Sequence, residues 1–189
     1  EADGALFGQM PFGNYILAGA ATLFVQSRVR DFSDRREHER RQSATIELTL
    51  RGRTPRHRWL AGIAADWFAL RTPSDPLPSA YVSTRPGIFV HDELRVAPWL
   101  AVSGSARLDY HNVYGLMLSP HGSALLRGGP WAARVSVGRS YFAPSPLTEE
   151  AEAAGLAHLK VDGPLEVETA RNVSAVLSHT TRASVVSLA

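Results

Sequence analysis

Hydrophobic and polar residues alternate along this chain with a period of two. At 43–52, Ile46, Leu48 and Leu50 alternate with Glu47, Thr49 and Arg51. At 59–68 one face collects Trp59, Ala61, Ile63, Ala65 and Trp67. At 100–110 it collects Leu100, Val102, Gly104, Ala106, Leu108 and Tyr110, against Ser103, Ser105, Arg107 and Asp109. The runs 131–141 and 168–178 repeat the pattern through Ala133, Val135, Val137 and through Val173, Ala175, Leu177. Such alternation predicts strands with one apolar and one polar face. The one stretch of helical character, 148–157, is short and interrupted by Gly155.

The connections between these runs alternate in length. Residues 31–42, 70–86 and 143–167 are long polar links, and 111–116 is moderate. Residues 53–57, 97–98, 128–130 and 179–181 are short. Long and short links therefore fall on opposite ends of the sheet. A soluble sandwich has no reason for that order, whereas a transmembrane barrel has short turns on one side and long loops on the other. The pattern predicts an all-β, antiparallel, up-and-down transmembrane β-barrel. Some nine to ten strands, including a first one at 5–10, would make it an incomplete barrel, since the largest common class has roughly 22 strands.

Aromatic residues mark both ends of the runs. Tyr15, Trp59, Trp99 and Trp131 open strands just after short turns. Phe32, Trp67 with Phe68, Tyr110, and Tyr141 with Phe142 close the same strands near long links. The separation of roughly ten residues equals one tilted membrane crossing, and amphipathic rings at both edges of an apolar band form interfacial girdles. Tyr15, Trp59, Trp67, Trp99, Tyr110, Trp131 and Tyr141 are thus expected at membrane interfaces, in contact with outer-membrane lipids. Strict alternation puts Trp99 on the face opposite Leu100 and Val102, so a bulge or turn must rotate it.

Composition agrees with this picture. The 189 residues carry 20 Lys+Arg against 18 Asp+Glu, a net charge of +2, with Lys160 the only lysine. So small an excess argues against a nucleic-acid partner. The absence of cysteine excludes a disulfide scaffold, a zinc ribbon and a Cys nucleophile. No stretch approaches the roughly 20 apolar residues of a membrane helix. The mean hydropathy of −0.11 is what alternating lipid-facing and lumen-facing residues average to. The first residues, Glu1-Ala2-Asp3-Gly4, lack the basic and apolar regions of a secretory signal. The last, 183–189, form an apolar strand-like run in want of a partner. Residues 1–189 read as one partial barrel domain, without a plug domain or the terminal barrel strands.

Five motifs then resemble those of the TonB-dependent outer-membrane receptors, in family order over roughly half the chain. Gly-Ile-Phe-Val-His-Asp-Glu-Leu-Arg at 87–95 resembles their F-x-Q-D-E-W-R strand, with His91 for Gln and Leu94 for Trp. The strand at 100–110, with Arg107-Leu108-Asp109, resembles L-x-L-x-x-G-x-R-Y-D. Leu-Ser-Pro-His-Gly at 118–122 resembles x-S-P-R-x-G, with His121 for Arg. Residues 135–149, ending Ala143-Pro144 and Leu147-Thr148-Glu149, resemble the G-x-G-F-R-A-P-x-x-x-E segment. Residues 164–172, through Glu168 and Asn172, resemble L-K-P-E-x-x-x-N. The resemblance implies part of a receptor barrel that takes up a scarce nutrient, such as an iron–siderophore complex or cobalamin. It implies TonB as a partner of the full receptor, although no TonB-contact motif stands in this chain.

Catalytic chemistry finds no support. No His pair has HExxH spacing and no nucleophile elbow is present, so no catalytic residue, metal ligand or cofactor is assigned. Tyr81, in the 70–86 link, and His111 and Tyr114, in the 111–116 link, are the candidate ligand contacts, since a receptor of this family meets its small-molecule ligand on that side. The charge run 31–41 reads as a self-compensated loop, or alternatively as an anion site built of Arg forks. Glu47, Arg51, Arg107, Asp109, Arg134 and Asn172 are expected to face a wet lumen. Asp92, beside Val90 and Leu94 on the apolar face, needs either an interface or a register shift. Two other readings remain at this stage: a small self-contained barrel acting as a pore or adhesin, and a soluble β-sandwich binding module.

Overall fold

The computed structural model describes residues 1–31, 36–72, 79–145, 165–181 and 184–188. Among these it is all strand, with no helix. The strands are β1 (Ala2–Phe12), β2 (Tyr15–Asp31), β3 (Arg36–Arg53), β4 (His57–Thr72), β5 (Ser79–Ala97), β6 (Leu100–His111), β7 (Gly115–Gly128), β8 (Trp131–Phe142), β9 (Glu168–Thr180) and β10 (Val185–Leu188). They form one sheet in strict sequence order, β1 through β10, every neighbouring pair antiparallel. The sheet does not close among the described residues. It is the expected up-and-down arrangement, an incomplete β-barrel. The helical run at 148–157, Phe32, and the Leu147–Glu149 part of the fourth motif fall outside the described residues.

Register fixes two faces, because directly paired residues in an antiparallel ladder share a side. Leu17, Leu50 and Ala61 pair in series, as do Ala21, Ile46 and Ala65. Ile63, Ile88, Leu108 and Leu118 continue the apolar face, and Val135 pairs with Ala124 and Ala175. The other face carries Gln9, Glu47, Asp66, Arg85, Arg107, Asp109, Arg134 and Asn172.

The apolar face is open. Leu6 and Val173 are each 76% exposed, and Ile46, Ile63, Ile88 and Val137 are all exposed. Among the described apolar residues only Ala64, Ala69, Leu70 and Met117 are buried. A sandwich buries one sheet against another; the described residues form a single sheet with no second layer among them, which goes against the soluble-sandwich reading. A continuous exposed apolar band of this size marks an interaction surface.

Strands β3 and β5 are much longer than the hydrophobic pattern indicates. Residues 36–42 and 79–86, expected in connections, belong to β3 and β5. Polar composition there disguises strand pairing: Arg30 and Arg41 both bond Glu39, and Arg36 bonds Asp31. The charge run is therefore a cross-strand ladder over its described residues, not a loop.

Glycines occur where rings need room. Gly13 and Gly129 take positive φ in tight turns. Gly52 lies beneath the Trp59 indole, where a Cβ would stand 2.8 Å from the ring. That gap lets Tyr15 on β2 and Trp59 on β4 approach across β3, with ring centroids 6.0 Å apart. Phe12 extends the row at 5.7 Å from Tyr15. Trp131 packs on its cross-strand partner His179 at 4.4 Å.

Asp92 keeps the register of the apolar face, opposite Trp59 and Gly104. It sits near the short-turn end, where His57 Nε2 lies 2.6 Å from Oδ1. The ladder shifts only afterwards, between Arg95 and Ala97, one turn before Trp99.

Candidate functional site at the long-connection end

Three strands bring polar and aromatic groups together on the polar face, at the end opposite the short turns. Cross-strand pairing sets Asp66 against Arg85, Phe68 against Ser83, and Leu70 against Tyr81. Gly87 pairs with Asp109, two residues short of His111. Beyond Gly87 the β5–β6 ladder is carried on by Asn112. Its Oδ1 accepts from the Thr84 amide at 3.0 Å, and its Nδ2 donates to the Val82 carbonyl at 2.9 Å.

Each carboxylate at this site has a guanidinium partner. Arg85 Nε and Nη2 donate to Asp66 Oδ2 at 3.1 and 2.7 Å, while the Thr45 hydroxyl donates to Oδ1 at 3.2 Å. Arg107 Nε donates to both oxygens of Asp109 at 2.9 and 2.8 Å. Tyr141, named above among the boundary aromatics, donates its hydroxyl to Asp109 Oδ2 at 2.6 Å. Asp109 has no exposed surface. It rests on Gly87, where a Cβ would stand 2.1 Å from Oδ1. A buried carboxylate is tolerable only when so paired. Arg107 also lies over the Phe89 ring, 5.6 Å from its centroid.

His111 is buried at the end of β6, beyond the boundary residue Tyr110. Its Nδ1 accepts the Val113 amide at 3.1 Å, so the ring proton is on Nε2, which donates to Ser83 Oγ at 3.0 Å. Burial, and then the positive charge of Arg85, hold its pKa below the ordinary 6.5. This geometry runs against nucleophilic catalysis. A Ser-activating imidazole must accept the hydroxyl proton and be oriented by a carboxylate on its other nitrogen, and His111 does neither.

The structure brings Tyr81, His111 and Tyr114 into one neighbourhood. Tyr81 is on strand β5 rather than in a loop, with its ring 6.1 Å from Phe68. Tyr114 packs on His111 at 4.9 Å and donates its hydroxyl to the Pro144 carbonyl at 2.7 Å. Burial, and after it the Tyr81 phenol, raise the Tyr114 pKa above 10.0. Tyr81 and His111 border a cavity of about 390 Å³ shared with Arg41, Phe68, Arg85 and Ser145. Arg85 and Ser83 were missed from the sequence, because the run 79–86 around Pro86 reads as a link, and Asp66, on the polar side of the 59–68 run, was not singled out without them; the Asp66–Arg85 charge complement was the one available signal. Ring faces beside guanidinium donors suit a flat or anionic small molecule.

Of the other boundary aromatics, Tyr15, Trp99, Tyr110 and Trp131 are exposed, and Trp59 and Trp67 are half-buried. Among the described residues no three of His, Asp and Glu converge as a metal site.

The sequence matches no protein-family model and no curated protein. The fold is similar to solved siderophore receptors. A variant of the ferric enterobactin receptor of Pseudomonas aeruginosa, solved in complex with enterobactin, aligns with 98% of this chain at 12% identity and a TM-score of 0.68, over 33% of its own length. The siderophore receptor PirA of the same organism aligns with 96% of this chain at 14% identity and TM-score 0.59, over 40% of its length. PirA of Acinetobacter baumannii aligns with 95% at 13% identity and TM-score 0.63, over 32% of its length. The chain thus spans a third to two-fifths of the structures it matches. At these identities the likeness is one of fold: this sheet has the architecture of part of a siderophore-receptor barrel.

Proposed function

We propose that this chain is part of the barrel wall of a TonB-dependent receptor in a Gram-negative outer membrane, which binds and imports a scarce nutrient such as an iron–siderophore complex or cobalamin. The observation that carries the reading is the overlay of nearly the whole chain on siderophore receptors. The five motifs and the open apolar face support it. In this reading the apolar face meets lipid, with Tyr15, Trp59, Trp67, Trp99, Tyr110 and Trp131 near the two interfaces. The long-connection end faces outward from the cell. Tyr81, His111, Tyr114 and Arg85 contact the ligand, through ring stacking and a guanidinium. Transport would draw energy from the inner membrane through TonB acting on the complete receptor.

The test is growth of a strain deleted for the full gene on defined iron sources, one siderophore at a time, and on limiting cobalamin. Loss of growth on one source, restored by the gene, is expected. Unchanged growth on every source would sink the reading. In the complemented strain, Tyr81→Ala with Tyr114→Ala is expected to weaken ligand binding about tenfold, as befits two lost aromatic contacts of about 0.5–1.5 kcal/mol each.

A further inference from the structure

Asp92 is a carboxylate on the face that otherwise carries hydrocarbon. Its ladder partners are Trp59 on β4 and Gly104 on β6. Its neighbours along β5 on that face, Val90 and Leu94, are both exposed. The Trp59 indole does not cover it, because that ring lies over Gly52 on the opposite side, toward Tyr15. On its other side Gly104 is followed by Gly122 on β7, and a Cβ at either would meet no side chain within 4 Å. Asp92 therefore borders an open notch two strands wide. Half of its side chain is exposed. Its Oδ1 is enclosed but accepts no hydrogen bond among the described residues. His57 Nε2 stands 2.6 Å from Oδ1, and no guanidinium reaches the group among the described residues. An imidazole brings positive charge only when protonated.

We infer that Asp92 and its notch seat the primary ammonium of an ethanolamine phospholipid, with the acyl chains running past Val90 and Ile88 toward the middle of the apolar band. The inference rests on the reading that this face meets lipid. A carboxylate facing lipid is costly unless a positive group offsets it. Asp92 stands level with Trp59, at the depth where interfacial rings meet headgroups. The occupant must therefore combine a cation with hydrocarbon, and an aminophospholipid does. A primary ammonium offers three N–H donors to an oxygen that only accepts, whereas the quaternary ammonium of a choline lipid offers none. A metal ion is a poorer match: it asks for several oxygen ligands, and no three acidic or imidazole groups converge among the described residues.

The experiment uses the full 189-residue chain refolded in neutral detergent. Native mass spectrometry counts the lipid retained as phosphatidylethanolamine, phosphatidylcholine or phosphatidylglycerol of identical acyl chains is titrated in. Phosphatidylethanolamine is expected to bind at least about tenfold tighter than either of the others, the effect of one charge-assisted hydrogen bond. Asp92→Asn should abolish that margin. Arg171→Gln, opposite Arg139 at the far end of the sheet, should leave it unchanged. Equal retention of the choline lipid, tighter binding of the glycerol lipid, or a margin that survives Asp92→Asn would overturn the inference. Folding is read separately in detergent containing phosphatidylcholine alone. There Asp92→Asn removes a charge that no lipid offsets, so its unfolding midpoint should not fall below that of the unaltered chain. A lower midpoint would assign Asp92 to a structural pair with His57 and also overturn the inference. Quenching of Trp59 by brominated acyl chains reports whether the face meets lipid at all. Quenching without an ethanolamine preference sinks this inference alone, and no quenching in any lipid sinks it together with the membrane reading.

Discussion

Asp109 is the most enclosed charge described in the sheet, and it is held from three sides. Arg107 forks onto it, Tyr141 donates to it, and Gly87 leaves it space. Gly87→Ala should therefore act through Asp109, pushing the carboxylate off its partners. A cost of about 3 kcal/mol in denaturant unfolding is expected, the scale of a broken buried ion pair. Asp109→Asn in the same background should recover part of that loss, since the charge left unpaired is gone. His111 gives a second expectation. Its folded pKa lies below 6.5, so in acid the unfolded chain takes up the proton first. The stability due to neutral His111 is present above about pH 6.5 and is lost as pH falls through that value toward the folded pKa. An NMR titration of the imidazole should show its midpoint below 6.5, and a midpoint at or above that value would contradict the Val113–His111–Ser83 chain.

Hairpin β2–β3 shows how charges extend strands past an apolar band. Burial would raise the Glu39 pKa, but the hydrogen bonds from Arg30 and Arg41 outweigh it and hold it below 4.5. Glu39 thus stabilises the hairpin above that pH and releases it as the solution turns more acid. Glu39→Gln should cost about 2 kcal/mol, read as loss of amide-exchange protection at 28–31 and 36–41, with the rest of the sheet unaffected. This hairpin also marks where the sequence stops being legible. Period-two runs such as 46–50, 59–67 and 100–110 declare their strands, because one side of each is continuously apolar. Above the band both sides are polar and the contrast vanishes, so only the pairing partner shows that Glu39 is in a strand. The site suffers in the same way. His111, Tyr114 and Tyr81 could be named, but Arg85 and Ser83 were hidden in a run that ends at Pro86. Tyr141 was assigned to an interface from its place at the end of a run, yet its hydroxyl reaches Asp109 across β7. The β7–β8 ladder stops at His121–Gly138, next to Pro120, which has no amide to donate.

At the scale of the molecule, the open apolar face and the ring rows make a claim about depth. In bilayers carrying brominated acyl chains, Trp59 and Trp131 should be quenched more strongly by bromines near the headgroups than by bromines near the chain ends. Single-tryptophan variants resolve the two, and deep quenching at both would place the sheet wrongly.

Serial pairing has a mechanical consequence. Each strand is bonded only to its neighbours in sequence, so a pull on one terminus should peel hairpins off one at a time, at low and similar forces. Among the described residues three ties break that rule. Arg51 bonds Gln9, linking β3 to β1, Tyr141 bonds Asp109, linking β8 to β6, and Tyr114 bonds the Pro144 carbonyl just past β8. Strands β6, β7 and β8 should consequently give way as one block, seen in a force trace as a single rupture about three strands long. Tyr141→Phe with Tyr114→Phe should divide that rupture into separate smaller ones.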